Sequence, residues 1–195
     1  MDETRQAFLD ELYAHGRAHD EQREDRLQRL RNVEPETAEL LGVLVRALGA
    51  RRVLEVGTSN GYSTIWLGDA AEAVGGTVLS LEIEAQRTAQ ATSNLDEAGV
   101  AAFVELRTQD AAEALRSFAD GAFDLIFLDA ERREYAGYWP DLVRVLRDRG
   151  LLVVDNMLSH PKELVEFSEL VYSAEGITST LVTVGAGVLL IVKSP

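Results

Sequence analysis

Five acidic residues stand where five apolar runs stop: Glu55, Glu82, Asp110, Asp129 and Asp155. A carboxylate in such a place can accept ribose hydroxyls, hold a hard cation through oxygen, or balance a positively charged ligand. Helix capping is the competing explanation, because Asp accepts from the first backbone N–H groups of a helix. Capping could account for Asp110 and Asp129. It accounts poorly for Glu55 and Glu82, since Glu is a weak cap. It also fits Asp155 badly, where the next helical pattern begins only near Ser159 to Pro161.

The runs that deliver these acids are RVLEV, GTVLSLE, AFVEL, FDLIFLD and GLLVVD. They are apolar on both faces, the pattern of a parallel sheet covered by helices. Helical patterns fall between them, near residues 62–73, 85–98, 111–118 and 134–147, and Pro140 is expected in the first turn of the last. PKELVEFSELVYSA predicts one more helix. ITSTLVTV and VLLIV, joined through Gly185-Ala186-Gly187, predict a terminal antiparallel hairpin.

Upstream, residues 3 to 30 read as a charged helical segment with Phe8, Leu9, Leu12 and Tyr13 as its apolar stripe. Its HGRAHDEQREDR portion reads as a solvated helix or linker. A second helix is expected over Glu36 to Leu48. The prediction is one α/β domain over residues 1–195, with a helical extension at 1–31. Its core is a doubly wound, mostly parallel, seven-stranded Rossmann-like sheet ending in the hairpin. In such sheets ligands bind outside the carboxyl ends of the strands, where the five acids lie.

Composition narrows the chemistry. The chain has 195 residues, 46% of them hydrophobic, which is enough for a globular core. The absence of cysteine excludes disulfides, thiolate metal sites and a cysteine nucleophile. The acidic start, MDETRQAFLDEL, has no apolar core of a secretory signal, and no run reaches the roughly 20 residues that span a bilayer. A cytoplasmic protein without membrane contact is expected. A net charge of −14 repels phosphate backbones and anionic membranes, and so disfavours nucleic acid as a partner.

VLEVGTSNGYSTIWL, Val53 to Leu67, joins the first strand to the next helix with the spacing E-x-G-x-x-x-G. A dinucleotide site needs G-x-G-x-x-G and a pyrophosphate at the helix N-terminus, so a nicotinamide oxidoreductase is disfavoured. An acid before the turn favours a ligand carrying positive charge. Glu82, ending the second strand, is placed to accept two ribose hydroxyls. A ribose joined to a cationic amino-acid tail describes S-adenosylmethionine. Asp129, Asp155 and Asn156 offer two carboxylates and an amide carbonyl from neighbouring strand ends, a donor set for a hard cation such as magnesium. None of the three histidines falls in these motifs, which disfavours a zinc site.

Over roughly residues 32 to 193 the chain resembles the cation-dependent, class I O-methyltransferases of the catechol and caffeoyl-CoA type. The resemblance rests on LEVGTSNGYST, LSLEIE, FDLIFLDAERREY, LLVVDN and VGAGVLLIVK. It implies that Glu55, Gly57, Thr58, Gly61, Tyr62 and Ser63 form the turn around the methionine portion of the cofactor. By the same resemblance Glu82 holds the ribose, Asp110 and Ala111 flank the adenine, and Val33 belongs to a segment closing over the cofactor. Asp129, Asp155 and Asn156 would bind the divalent cation, and a homodimer is implied.

Three departures stand out. Arg31 occupies a place where the family usually has Met. Arg132 occupies the place of the catalytic Lys. Arginine does not act as a base in proteins, so Arg132 is expected to orient or neutralise an oxyanion. The stretch after Asn156 is short, which argues against a bulky coenzyme A ester. The expected reaction is methyl transfer to a hydroxyl of a small catechol-like or vicinal-diol acceptor. The alternatives are methylation of a tRNA hydroxyuridine and a non-catalytic cofactor-binding subunit.

Overall fold

The computed structural model describes residues 1–25 and 28–195. The elements in chain order are α1 (Glu3–Glu21), α2 (Pro35–Leu48), β1 (Arg52–Val56), α3 (Tyr62–Val74), β2 (Thr77–Glu82) and α4 (Ala85–Glu97). There follow β3 (Val104–Thr108), α5 (Ala111–Ser117), β4 (Phe123–Leu128), α6 (Tyr135–Val145), β5 (Leu146–Val154), α7 (Val165–Ser173), β6 (Ile177–Val182) and β7 (Val188–Lys193).

The strands form one seven-stranded sheet in the order β3-β2-β1-β4-β5-β7-β6. The first five are parallel, and β7 runs antiparallel between β5 and β6. Strand order reverses between β1 and β4, and there the crevice opens. β1, β4 and β5 are buried along most of their length because helices cover both faces. One core packs α1, α2 and α3 on one face, and the other packs α5, α6 and α7 on the opposite face.

Two sequence expectations need correction. The N-terminal segment is helical only to Glu21, not to residue 30. Past that point the apolar stripe is lost, and the Asp20 carboxylate accepts the backbone N–H groups of Leu30 and Arg31 at 2.7 and 2.8 Å, folding the chain back. Arg26 and Leu27, inside the expected extension, lie outside the described residues. Pro140 sits inside α6 rather than in its first turn, since the helix opens at Tyr135, directly after a 3-10 turn (Arg132–Glu134).

The stripe of α1 serves its own domain. Leu9 and Leu12 are buried in the core, and Arg5 and Arg46 both pair with the buried Asp69 of α3. Phe8 and Tyr13 pack against the same core while staying partly buried. Among the described residues, no helix is long and apolar enough to cross a membrane.

Candidate active site

A cavity of about 530 Å³ lies at the carboxyl ends of β1, β2, β4 and β5. Its size falls among small-molecule sites, which run from roughly 300 to 1,000 Å³. Of the residues singled out from sequence, Val33, Gly57, Thr58, Tyr62, Ser63, Glu82, Asp110, Ala111, Asp129, Arg132 and Asn156 line it. Glu55, Gly61 and Asp155 stand behind the wall.

Glu55 is fully buried. Its oxygens accept Ser63 Oγ at 2.6 Å, Thr64 Oγ1 at 2.5 Å and Ser80 Oγ at 2.6 Å. Burial pushes its carboxyl up to about 7, against the pull of those three hydroxyls. The acid before the turn thus ties β1 to α3 and β2, and Ser63 stands between it and the cavity.

Glu82 faces the cavity and is held from behind. One oxygen accepts the Ser59 N–H at 2.9 Å, and the other accepts Ile83 and Glu84 N–H at 2.9 and 3.0 Å. Each oxygen has two lone pairs, so the outward side of the carboxylate can still take hydroxyl donors. Ile83, next to it, is 67% exposed and lines the same cavity, an apolar surface beside a polar anchor. Asp110 caps α5 by accepting the Glu113 N–H at 3.0 Å while also lining the cavity. Here the capping explanation holds.

Gly57 has a φ of 105°. A Cβ there would lie 2.0 Å from the carbonyl oxygen of Asp129. The glycine is required because two strand ends touch: the Asp129 N–H also donates to the Val56 carbonyl at 3.0 Å. That approach is to protein backbone rather than to a ligand.

On the β4–β5 side, Asp129 Oδ1 accepts from Asn156 Nδ2 at 2.7 Å. Asn156 adopts a left-handed φ of 69°, which Asn tolerates better than most residues. Asp155 is 2% exposed, and its Oδ1 is buried without a partner among the described residues. Burial pushes the Asp129 carboxyl up, opposed by the charges of Arg31 and Arg132. Burial and the neighbouring Asp129 charge push the Asp155 carboxyl up further. Two buried carboxyls that repel each other, one with an orphaned oxygen, are a donor set matched to a cation. No described cluster of three His, Cys, Asp or Glu forms a metal site, and Asn156 would have to complete this one.

Sequence reasoning missed the framework of the strap at residues 28–34. Leu30 and Val33 are buried, Ser59 Oγ donates to the Leu30 carbonyl at 2.7 Å, and Arg31 reaches Glu131 at 3.0 Å. Arg132 is buried. Its side chain is 4% exposed, and its Nε donates to Glu163 Oε2 at 2.9 Å. No spacing rule links these two residues. Tyr135 braces the same region, since its hydroxyl accepts the Ala130 N–H at 3.1 Å and steadies the turn after Asp129.

A sheet of this order with a ligand cavity at its switch point is the arrangement of class I methyltransferases. Residues 19–194 match the family model described as O-methyltransferase, and the chain belongs to that family. It is 39% identical over 126 residues to a catechol O-methyltransferase of Mycobacterium tuberculosis, a match covering 65% of this chain and 57% of that one. It is 35% identical over 140 residues to a catechol O-methyltransferase of Niastella koreensis, covering 70% and 63%. The matches thus span about three-fifths of the length of these curated relatives. Among solved structures, an O-methyltransferase from Bacillus cereus in complex with SAH superposes with a TM-score of 0.80 at 26% identity, covering all of this chain and 92% of that one.

Proposed function

We infer that the protein transfers a methyl group from S-adenosylmethionine to one oxygen of a small catechol-like or vicinal-diol acceptor, with a divalent cation, magnesium by preference, at Asp129, Asp155 and Asn156. The observation that carries this reading is the pairing of two unlike anchors along one cavity. Glu82 is braced by backbone donors at one side, and the Asp129–Asn156 pair with the orphaned Asp155 oxygen stands at the other.

The residues divide the work. Glu82 accepts the ribose hydroxyls, while Ile83 and Ala111 offer apolar surface to the base. Val33 and the strap exclude water from above, which favours a step in which charge is cancelled. A bound divalent cation supplies Lewis acidity, lowering the pKa of a hydroxyl it contacts. Asp129 and Asp155 neutralise that cation, and in doing so lose their mutual repulsion. Arg132 balances negative charge on the acceptor oxygen. With its proton released to solvent, that oxygen would form its bond to the methyl carbon as the carbon–sulfur bond breaks, the electron pair staying on sulfur. The protein's main contribution is position, with reacting atoms held about 3–3.5 Å apart and aligned.

The test is a methyl-transfer assay over a panel of vicinal diols, run with magnesium and then with chelator. Transfer to at least one aryl diol, lost in chelator and restored by magnesium, is expected. Transfer indifferent to chelator would remove the cation from the reading. Cofactor binding with no transfer to any diol would remove the reaction.

A further inference from the structure

Glu163 belongs to none of the motifs above. It ends a 3-10 turn, Pro161–Glu163, that the chain makes between β5 and α7. From there it reaches back 31 positions to Arg132, and its Oε2 accepts the Nε–H at 2.9 Å. That bond uses one corner of the guanidinium. Among the described residues, the Nη1 and Nη2 donors of Arg132 have no hydrogen-bond acceptor, although the side chain is 4% exposed and lines the cavity. Neither atom is a buried orphan, so both open onto the cavity, where a guanidinium can take an anionic oxygen. The side chain cannot swing away to find water while its Nε is held. Its open donors therefore stay on the wall of the cavity that Asp129 also lines.

We propose that Glu163 is a positioning residue that fixes Arg132 as an anion-binding subsite for the reacting oxygen, and that this subsite selects acceptors whose hydroxyl is already acidic: phenols and aryl diols with electron-withdrawing substituents rather than aliphatic diols. The proposal rests on the methyl-transfer reading. Its chemistry follows from the residue type. A lysine at this place could take the acceptor's proton. A guanidinium holds the oxyanion but does not accept the proton, which must leave to solvent before the oxygen–carbon bond forms. Rate then follows the ionised fraction of the bound acceptor. The charged and titratable groups around Arg132 are Asp129 and Asp155 at the strand ends, Arg31 and Glu34 on the strap, Glu163, and Tyr135 on α6.

The experiment uses 4-nitrocatechol, whose visible absorption reports its ionisation. It is titrated with pH while bound to the full chain with SAH, in chelator so that no cation contributes. In the wild type the bound midpoint is expected about one pH unit below the free one. Glu163→Gln should keep most of that shift, because an amide oxygen still accepts from Nε. Glu163→Ala should lose most of it, and Arg132→Gln all of it. A wild-type midpoint equal to the free one, or a Glu163→Ala midpoint equal to wild type, overturns the proposal.

A second arm measures kcat/KM over aryl diols of graded acidity with magnesium. Glu163→Ala should lower kcat about tenfold or more, with SAH affinity unchanged, and most for the least acidic acceptors. Equal loss for all acceptors overturns the selectivity. A shifted midpoint in a protein that methylates no diol supports the anion subsite while sinking the methyl-transfer reading, so the two failures are told apart.

Discussion

Glu82 at the end of β2 and Asp155 at the end of β5 close equivalent strands of one sheet, yet their oxygens meet opposite surroundings. Three backbone N–H groups converge on Glu82. Asp155 has a buried oxygen with no described partner and a second carboxyl, Asp129, pressing on it. The first region is complete as folded and offers a finished receptor. The second is electrostatically incomplete, since burial and mutual repulsion oppose charging both carboxyls. A protein can afford such a region when a ligand restores the balance, because anything that binds only the folded state stabilises it.

That contrast can be broken by experiment. The largest effect should come from Asp155→Asn. Methyl transfer is expected to fall by about two to three orders of magnitude as charge stabilisation is lost. The melting temperature measured in chelator should rise, because the repulsion is relieved. A fall in that melting temperature would mean the carboxyls are not in conflict. Glu82→Ala should do the reverse. SAH affinity measured by calorimetry should drop about 10- to 100-fold, from the loss of charge-assisted hydrogen bonds, and the melting temperature should fall in chelator as well. Were both substitutions to lower stability alike, the two regions would not differ in kind.

The pH dependence of stability sharpens the comparison further. Glu55 titrates near 7 in the folded chain against an ordinary value of 4.5. A raised carboxyl binds its proton more tightly when folded. Its contribution is therefore fully present below pH 4.5 and lost as pH rises through about 7, amounting to up to about 3 kcal/mol. The Asp129–Asp155 pair acts in the same direction. Stability in chelator should fall across this window, and Glu55→Gln should flatten the slope between pH 4.5 and 7. Magnesium should flatten only the part owed to the pair. The smallest effect is expected from Ser59→Ala, which removes the bond to Leu30. It should cost about 1 kcal/mol and speed SAH release in stopped-flow measurements.

The acids at the strand ends were legible because a parallel strand covered on both faces is a near-continuous apolar run, and its end is visible as the first charge. Which of those acids face the cavity was not legible. Glu55 lies within β1, whose two faces are both covered, so no alternation marks the side its carboxyl takes. The grouping of Asp129, Asp155 and Asn156 at neighbouring strand ends was readable from Asp-Asn after a strand and Asp after its neighbour. Arg132–Glu163 and Asp20–Leu30 were not, since each joins elements whose approach is set by packing rather than by local periodicity. Pro140 misled because proline usually prefers a helix start, whereas this one lies five residues past Tyr135, the first residue of α6.

The contact of Gly57 with the Asp129 carbonyl has a consequence for the reaction coordinate itself. In the proposed reaction the two reactants would be seated on different strands, with the span between them set where β1 and β4 abut. A single methyl side chain at position 57 would act as a wedge there, prying the donor's cradle from the acceptor's without touching either ligand. On the proposed reading, reach between sulfur and oxygen would thus be governed by a hydrogen atom standing where any other residue would carry carbon.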